Sequence, residues 1–566
     1  MILILLSRLC PLPPRSRAHS ELVAIFLLLA VLATPPTLAS QQNQEGSAGG
    51  NELQKLFAAA RAAKEAGDLP AAASANQKLI ALSLREMGKL RLFENAYPEA
   101  AELYRRSLEL EDVPDAHADL AIAYLLANRP ADSAVETRKA LASDPRNAAT
   151  WTVQGEALIK TKDYRGAVEA LHRSLEIRPD PETSYALASC FLRLKEKEKA
   201  AAIFRQMIAV AGERSDLYLL FGFAYRDAGM ADDAGQQYRR ALALNPRAPN
   251  AHYHLGLSYL MGNEWAPTPE GRSEFLKELE LNPRNFAAHY LLGYMAFSSN
   301  QEAEADHYLG IAAQLKPSSP ETWLYLGLNA YRRKQNQRAE KLFRTAILLA
   351  EQDGIGAHND IRKAYTSLGR ILMGSGRTQE GKRYLQKARD LQQLMMADSQ
   401  QGSGMAEPAG SGVSSADVPN LPQEEAHISL PGTGKADPTA PLNARVLSRA
   451  NFTSEQKKLI AAQEQYLRSV LGASFNDLAT AEAIQEQYAA ALGHYQEAER
   501  WDPKVPNLMR NLGFAAYRAG NHPEAIRALK KALVISPGDD AARAVLNELR
   551  TSNDGAASQN KKDKQP

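Results

Sequence analysis

The chain has 566 residues, 45% of them hydrophobic and 23% charged, with 67 Lys and Arg set against 65 Asp and Glu for a formal charge of +2. Both signs are interspersed throughout, so the basic footprint that releases counterions from phosphates is missing and nucleic acid is excluded as a partner class. Ala, Leu and charged residues dominate, and the alternation expected of strands does not occur, which places the chain among all-α proteins.

Residues 1–40 carry Arg8, Arg15 and Arg17, then an apolar run from Leu22 to Leu32, then small residues at Ala39 and Ser40. That layout predicts a secretory signal peptide. The apolar run is shorter than the roughly 20 residues needed to span a bilayer, and Pro35 and Pro36 interrupt its continuation, which favours cleavage over an uncleaved anchor. Export then implies a periplasmic or extracellular protein, or, if residues 22–39 are kept, one anchored to the inner membrane; membrane contact is expected only in that case. Cleavage removes three arginines and Glu21, taking the net charge from +2 to about zero. Of the two cysteines, Cys10 lies in this segment, so no intrachain disulfide is expected, and Cys190 reads as a small buried hydrophobe.

Residues 51–397 show self-similarity near 34 residues: Pro145 to Pro179, Gly222 to Gly256 and Gly293 to Gly327 are each 34 apart. Each unit has an amphipathic stretch, a turn such as Asp227-Ala228-Gly229, and a second amphipathic stretch ending in a breaker such as Asn245-Pro246. One unit carries Trp151, Gly155, Ala167, Leu171 and Pro179; another Tyr218, Gly222, Tyr225, Ala234, Tyr238 and Pro246; a third Trp323, Gly327, Ala339, Phe343 and Ala346. Matches recurring in phase resemble the tetratricopeptide repeat. The resemblance implies an α-solenoid, a right-handed superhelix of stacked helix-turn-helix hairpins, with about twelve repeats in two blocks and about ten of them in residues 51–397. Two spacings are long, Gly256 to Gly293 and Gly327 to Gly369, with the excess at residues 262–269 and 351–360.

Residues 398–441 turn to Gly, Ser, Pro and Gln and predict a flexible linker. Its reach, roughly 35 to 40 Å for a random coil, leaves the C-terminal residues two options: engaging a separate site, or folding back onto the first array. Residues 442–550 predict a C-terminal helical module with about two repeats, marked by Tyr488, Tyr495, Gly513 and Leu529, and a capping helix over 539–550. Residues 551–566 predict a disordered polar tail.

In the resembled family the first helix of each hairpin lines a concave groove. Carried over residue by residue, that rule places Tyr185, Phe223, Tyr253 and Leu257 in the groove, followed by Tyr290, Tyr294 and Phe297 and then Leu328 and Tyr331. These positions are aromatic and aliphatic where carboxylate-clamping members of the family place Lys, Asn and Arg, so the expected occupant is an apolar peptide segment or partner helix. Packing between neighbouring helices is the competing role for the same rings. Tyr290 and Tyr294 are the expected anchors.

No motif for a cofactor, catalytic nucleophile or phosphate loop can be placed, and no separate segment remains for a catalytic domain, so neither enzyme activity nor a cofactor is expected. His252 and His254, two apart on a helix, point to different faces and predict no metal site. Asn451-Phe452-Thr453 reads as an incidental glycosylation triplet. Together these features predict an exported non-enzymatic scaffold holding a protein or peptide in an apolar groove. The alternative is a structural subunit of a larger envelope, secretion or catalytic complex. Oligomeric state stays open.

Overall fold

The computed structural model describes residues 48–352, 359–401 and 453–550. The signal segment, Cys10, Asn451, most of the linker, residues 353–358 of the second insertion and the tail 551–566 lie outside the described residues. Within them every regular element is an α-helix. The chain begins with α1 (Ala48–Glu65), α2 (Leu69–Phe93), α3 (Tyr97–Leu110), α4 (Pro114–Leu126), α5 (Pro130–Ser143), α6 (Ala148–Lys160) and α7 (Tyr164–Ile177). It continues with α8 (Pro181–Arg193), α9 (Lys197–Ala211), α10 (Ser215–Asp227), α11 (Ala231–Leu244), α12 (Ala251–Gly262) and α13 (Pro269–Leu281). Then come α14 (Phe286–Ser298), α15 (Glu302–Leu315), α16 (Pro320–Arg332), α17 (Asn336–Gln352), α18 (Asn359–Gly374) and α19 (Thr378–Gln401). The C-terminal module holds α20 (Ser454–Ile484), α21 (Tyr488–Trp501), α22 (Leu508–Arg518), α23 (His522–Ile535) and α24 over residues 540–550.

From α2 to α23 the described helices pair into hairpins, flanked by the single helices α1 and α24. Helix α19 runs four residues past the start of the expected linker. The turns inside hairpins repeat one geometry, except between α12 and α13, where Glu264 and Trp265 both have positive φ. After α2, Asn95 N–H donates to the Leu92 carbonyl at 3.0 Å and Ala96 N–H to the Arg91 carbonyl at 2.9 Å, with Asn95 at φ 59°. After α10 the same pair of bonds forms around Gly229 at φ 76°, where a residue without Cβ carries no left-handed penalty. Some starts are capped by short polar side chains, as where Asn285 Oδ1 accepts from Ala288 N–H at 3.0 Å.

The repeat glycines allow the two helices of a hairpin to close on each other. A Cβ added to Gly222 would lie 2.3 Å from Tyr238, one on Gly327 2.7 Å from Phe343, and one on Gly513 2.6 Å from Leu529. Tyr238, Phe343 and Leu529 are themselves fully buried. Gly327→Ala is therefore expected to destabilise by about 1–3 kcal/mol through overpacking. Gly310, in α15 with nothing within 4 Å of an added Cβ, is the control: Gly310→Ala should stabilise by roughly 0.5–1 kcal/mol. Urea unfolding of both variants checks the pair.

The chain divides into two compact units. One unit joins the chain up to Thr183 to the C-terminal module, and the other begins at Ser184. In the first, α20 packs on α2, and a single core runs from Leu84 and Met87 through Leu467, Leu471 and Phe475 to Leu512. Of the two options left open by the linker, the described residues take the fold back onto the first helices. In the second unit, buried rings such as Tyr218, Phe221 and Tyr238 fill the first hairpins and Phe275, Tyr290 and Tyr325 the next.

Candidate partner-binding groove

All nine candidate groove residues lie in the second unit, on the first helices of successive hairpins: Tyr185 on α8, Phe223 on α10, Tyr253 and Leu257 on α12, then three on α14 and two on α16. They are not equally accessible. Tyr290, Leu257 and Tyr253 expose 1%, 2% and 3% of their surface, Phe223 8% and Tyr294 9%. Tyr185, Phe297, Leu328 and Tyr331 are half-buried.

The cause is lateral packing between neighbouring first helices. Phe223 meets His254 of α12 edge-on at 4.6 Å and Tyr238 of its own hairpin at 5.9 Å. Tyr294 and Phe297 of α14 both meet Tyr325 of α16, at 5.3 and 5.5 Å, and Tyr290 meets it at 6.1 Å. These positions form a packed aromatic seam. Tyr290, expected as an anchor, offers almost no surface in this conformation because Phe286 stacks on one side at 6.2 Å and Tyr325 closes the other.

Arginines cover two of the rings, the buried Phe223 and the half-buried Phe297. The Arg226 guanidinium lies 5.1 Å from the Phe223 centroid, and Arg332 lies 4.0 Å from that of Phe297. Arg332 also donates from Nη1 to the Phe297 carbonyl and to Asn300 Oδ1, both at 2.7 Å, which holds it there. A ligand would meet half-buried rings edged by guanidinium groups, a surface less purely apolar than the nine side chains alone imply. His254, Tyr325 and Arg332 pack against the candidate positions without having been expected there. The signal available for the first two was their place in the next first helix, where they close on the ring of its predecessor.

Arg226 Nη1 donates to His254 Nδ1 at 3.4 Å, which puts the imidazole proton on Nε2, and Nε2 has no partner among the described residues. Burial, reinforced by the Arg226 charge, lowers the His254 pKa to about 3. His252 instead pairs through Nδ1 with Glu274 at 2.5 Å, so the two histidines do serve different faces. Among the described residues no group of three His, Cys, Asp or Glu side chains is placed to hold a metal ion. Nor is any described helix long and apolar enough to cross a membrane.

Cys190 is 1% exposed, and burial pushes its thiol up to about 12. Ellman's reagent is expected to leave it untouched in the native protein and to titrate it fully once the chain is unfolded in guanidinium.

The first helices of the other unit carry a different face. Arg85 on α2 donates through Nη2 and Nε to one Asp119 oxygen of α4 at 3.0 and 3.2 Å, and Lys89 one turn on pairs with Glu86 at 2.8 Å. Desolvation raises the Asp119 carboxyl above its ordinary value, with Arg85 and Lys89 opposing. These charges satisfy one another, so the face reads as an internally paired network.

Stacked hairpins with small residues at the close approach define a helical-repeat fold. The tetratricopeptide repeat family matches over residues 152–214 and 476–540, and a second description, TPR repeat, over 222–262. These stretches carry tetratricopeptide repeats, whose arrays are protein–protein interaction scaffolds. The chain is similar to a tetratricopeptide repeat-containing protein of Caenorhabditis elegans, 24% identical over 26% of this chain, and to a TPR repeat-containing protein of Methanocaldococcus jannaschii, 28% identical over 19% of it. The match spans only 19% of either relative's length. Among solved structures, yeast Tom70 aligns over 84% of this chain and 96% of its own at 15% identity and a TM-score of 0.27; MamA aligns over 35% and 98% at 22% identity, also with a TM-score of 0.27.

Proposed function

We propose that this chain is an exported, non-enzymatic scaffold that holds a peptide or protein segment along the first-helix face of its second unit. The observation that carries the reading is the half-buried set Phe297, Leu328 and Tyr331 on α14 and α16 beside Arg332. Rings with part of their surface open, edged by a guanidinium, suit a segment with apolar side chains and an acceptor group. The signal-like segment supports export, and the balanced charge supports a protein partner. The nearly closed residues Tyr253, Leu257 and Tyr290 leave this working set.

The test is affinity capture by the mature chain from its own envelope fraction, beside a Phe297→Ala/Tyr331→Ala variant. A partner lost only in the variant supports the groove; identical partners on both sink it. The deep burial of the inner seam favours a second reading, a structural subunit of a fixed complex. In that case the partner accompanies the chain in constant stoichiometry and does not exchange with added peptide.

A further inference from the structure

We infer that the C-terminal module is a docking partner for the N-terminal hairpins, and that the two remain bound when the chain between them is cut. The first unit is built from two stretches of sequence separated by the whole second unit, yet they share one core. Two long helices make the seam: α2 with 25 residues and α20 with 31, where first helices elsewhere in the array have 11 to 16. Met87 and Leu84 on one side and Leu467 and Leu471 on the other are 0% or 1% exposed. Separating the segments returns these side chains to water, a penalty that does not depend on the connection.

The rim is charged in one direction. Lys64 meets Asp477 at 2.6 Å, Arg91 meets Glu464 at 2.5 Å, and Arg106 meets Glu497. In all three the cation belongs to the N-terminal segment and the carboxylate to the module. Arg106 also lies 5.9 Å from the centroid of Trp501, at the end of α21. Such polarity sets register and disfavours two N-terminal faces stacking on each other, because like charges would meet. The occupant that fits this face is therefore the module of the same sequence.

The experiment uses the full chain with a protease site inserted among residues 402–452, cut and passed through size exclusion at roughly micromolar concentration. The two fragments are expected to elute together at one to one; separation under native conditions overturns the inference. Arg91→Glu/Arg106→Glu in the cut chain is expected to weaken association at least about tenfold, and adding Glu464→Arg/Glu497→Arg to restore it. Restoration separates a lost contact from a misfolded variant. If the first pair of changes leaves association untouched, the charged rim does not select the partner and that part of the inference falls.

Discussion

Replacing Tyr290 by alanine is expected to cost roughly 3–5 kcal/mol, the range for deleting a buried large ring and leaving its cavity. The ring is 1% exposed and held between Phe286 and Tyr325, so the space cannot refill from solvent or by a simple rotamer change. Tyr290→Phe keeps the ring and should be far milder. In a repeat array stability is a sum of nearest-neighbour terms, so the loss should fall on α14 and the hairpins beside it. A separate early transition in urea, followed by circular dichroism, is the expected readout; a midpoint unchanged within error would mean that the seam tolerates the hole. The same burial makes Tyr290 a poor probe of binding. A partner lost on Tyr290→Ala would report collapse of the seam as readily as loss of contact, which is why Phe297 and Tyr331 serve that purpose better.

The hairpin architecture was legible because close packing leaves a paired signature, a glycine on one helix and a bulky residue about sixteen positions later. Gly222 with Tyr238 and Gly327 with Phe343 are such pairs, and the added-Cβ distances show why they recur. The candidate residues were legible as places on the first helices but not in their exposure. Whether Tyr294 faces solvent depends on Tyr325, 31 residues on, and single-helix periodicity carries no information on a neighbour's ring. The docking of the C-terminal module was the least visible. Helix α20 lacks the repeat glycine pattern, and its stripe at Leu467, Leu471, Phe475 and Leu478 marks an apolar face without naming what covers it. The apposed faces lie about 380 residues apart in sequence, and a linker of flexible composition is compatible with either arrangement.

Acidification is expected to weaken the second unit through His254. Its folded pKa of about 3 lies below the ordinary 6.5, so between those values the unfolded chain holds a proton that the native one refuses. Stability from the neutral ring is fully present above pH 6.5 and is lost as pH falls, by roughly 1.4 kcal/mol per unit inside the window. Glu156 in the first unit works with the opposite sign. Desolvation, with Glu182 adding to it, raises its carboxyl from 4.5 to about 7, so its contribution is fully present below 4.5 and fades as pH rises towards 7. From neutral pH to about 4.5 the two effects oppose, and a whole-chain melting curve can look flat while both groups titrate. Single variants separate them. His254→Gln should flatten the acid-side loss of the transition that involves α10 to α13, whereas Glu156→Gln should remove the gain on acidification in the unit holding α6. If His254→Gln melts with an unchanged pH slope, the imidazole is not held neutral by its burial against Arg226, Tyr238 and Phe223. The aromatic cage around it would then have to open far enough to admit water at the acid end of the window.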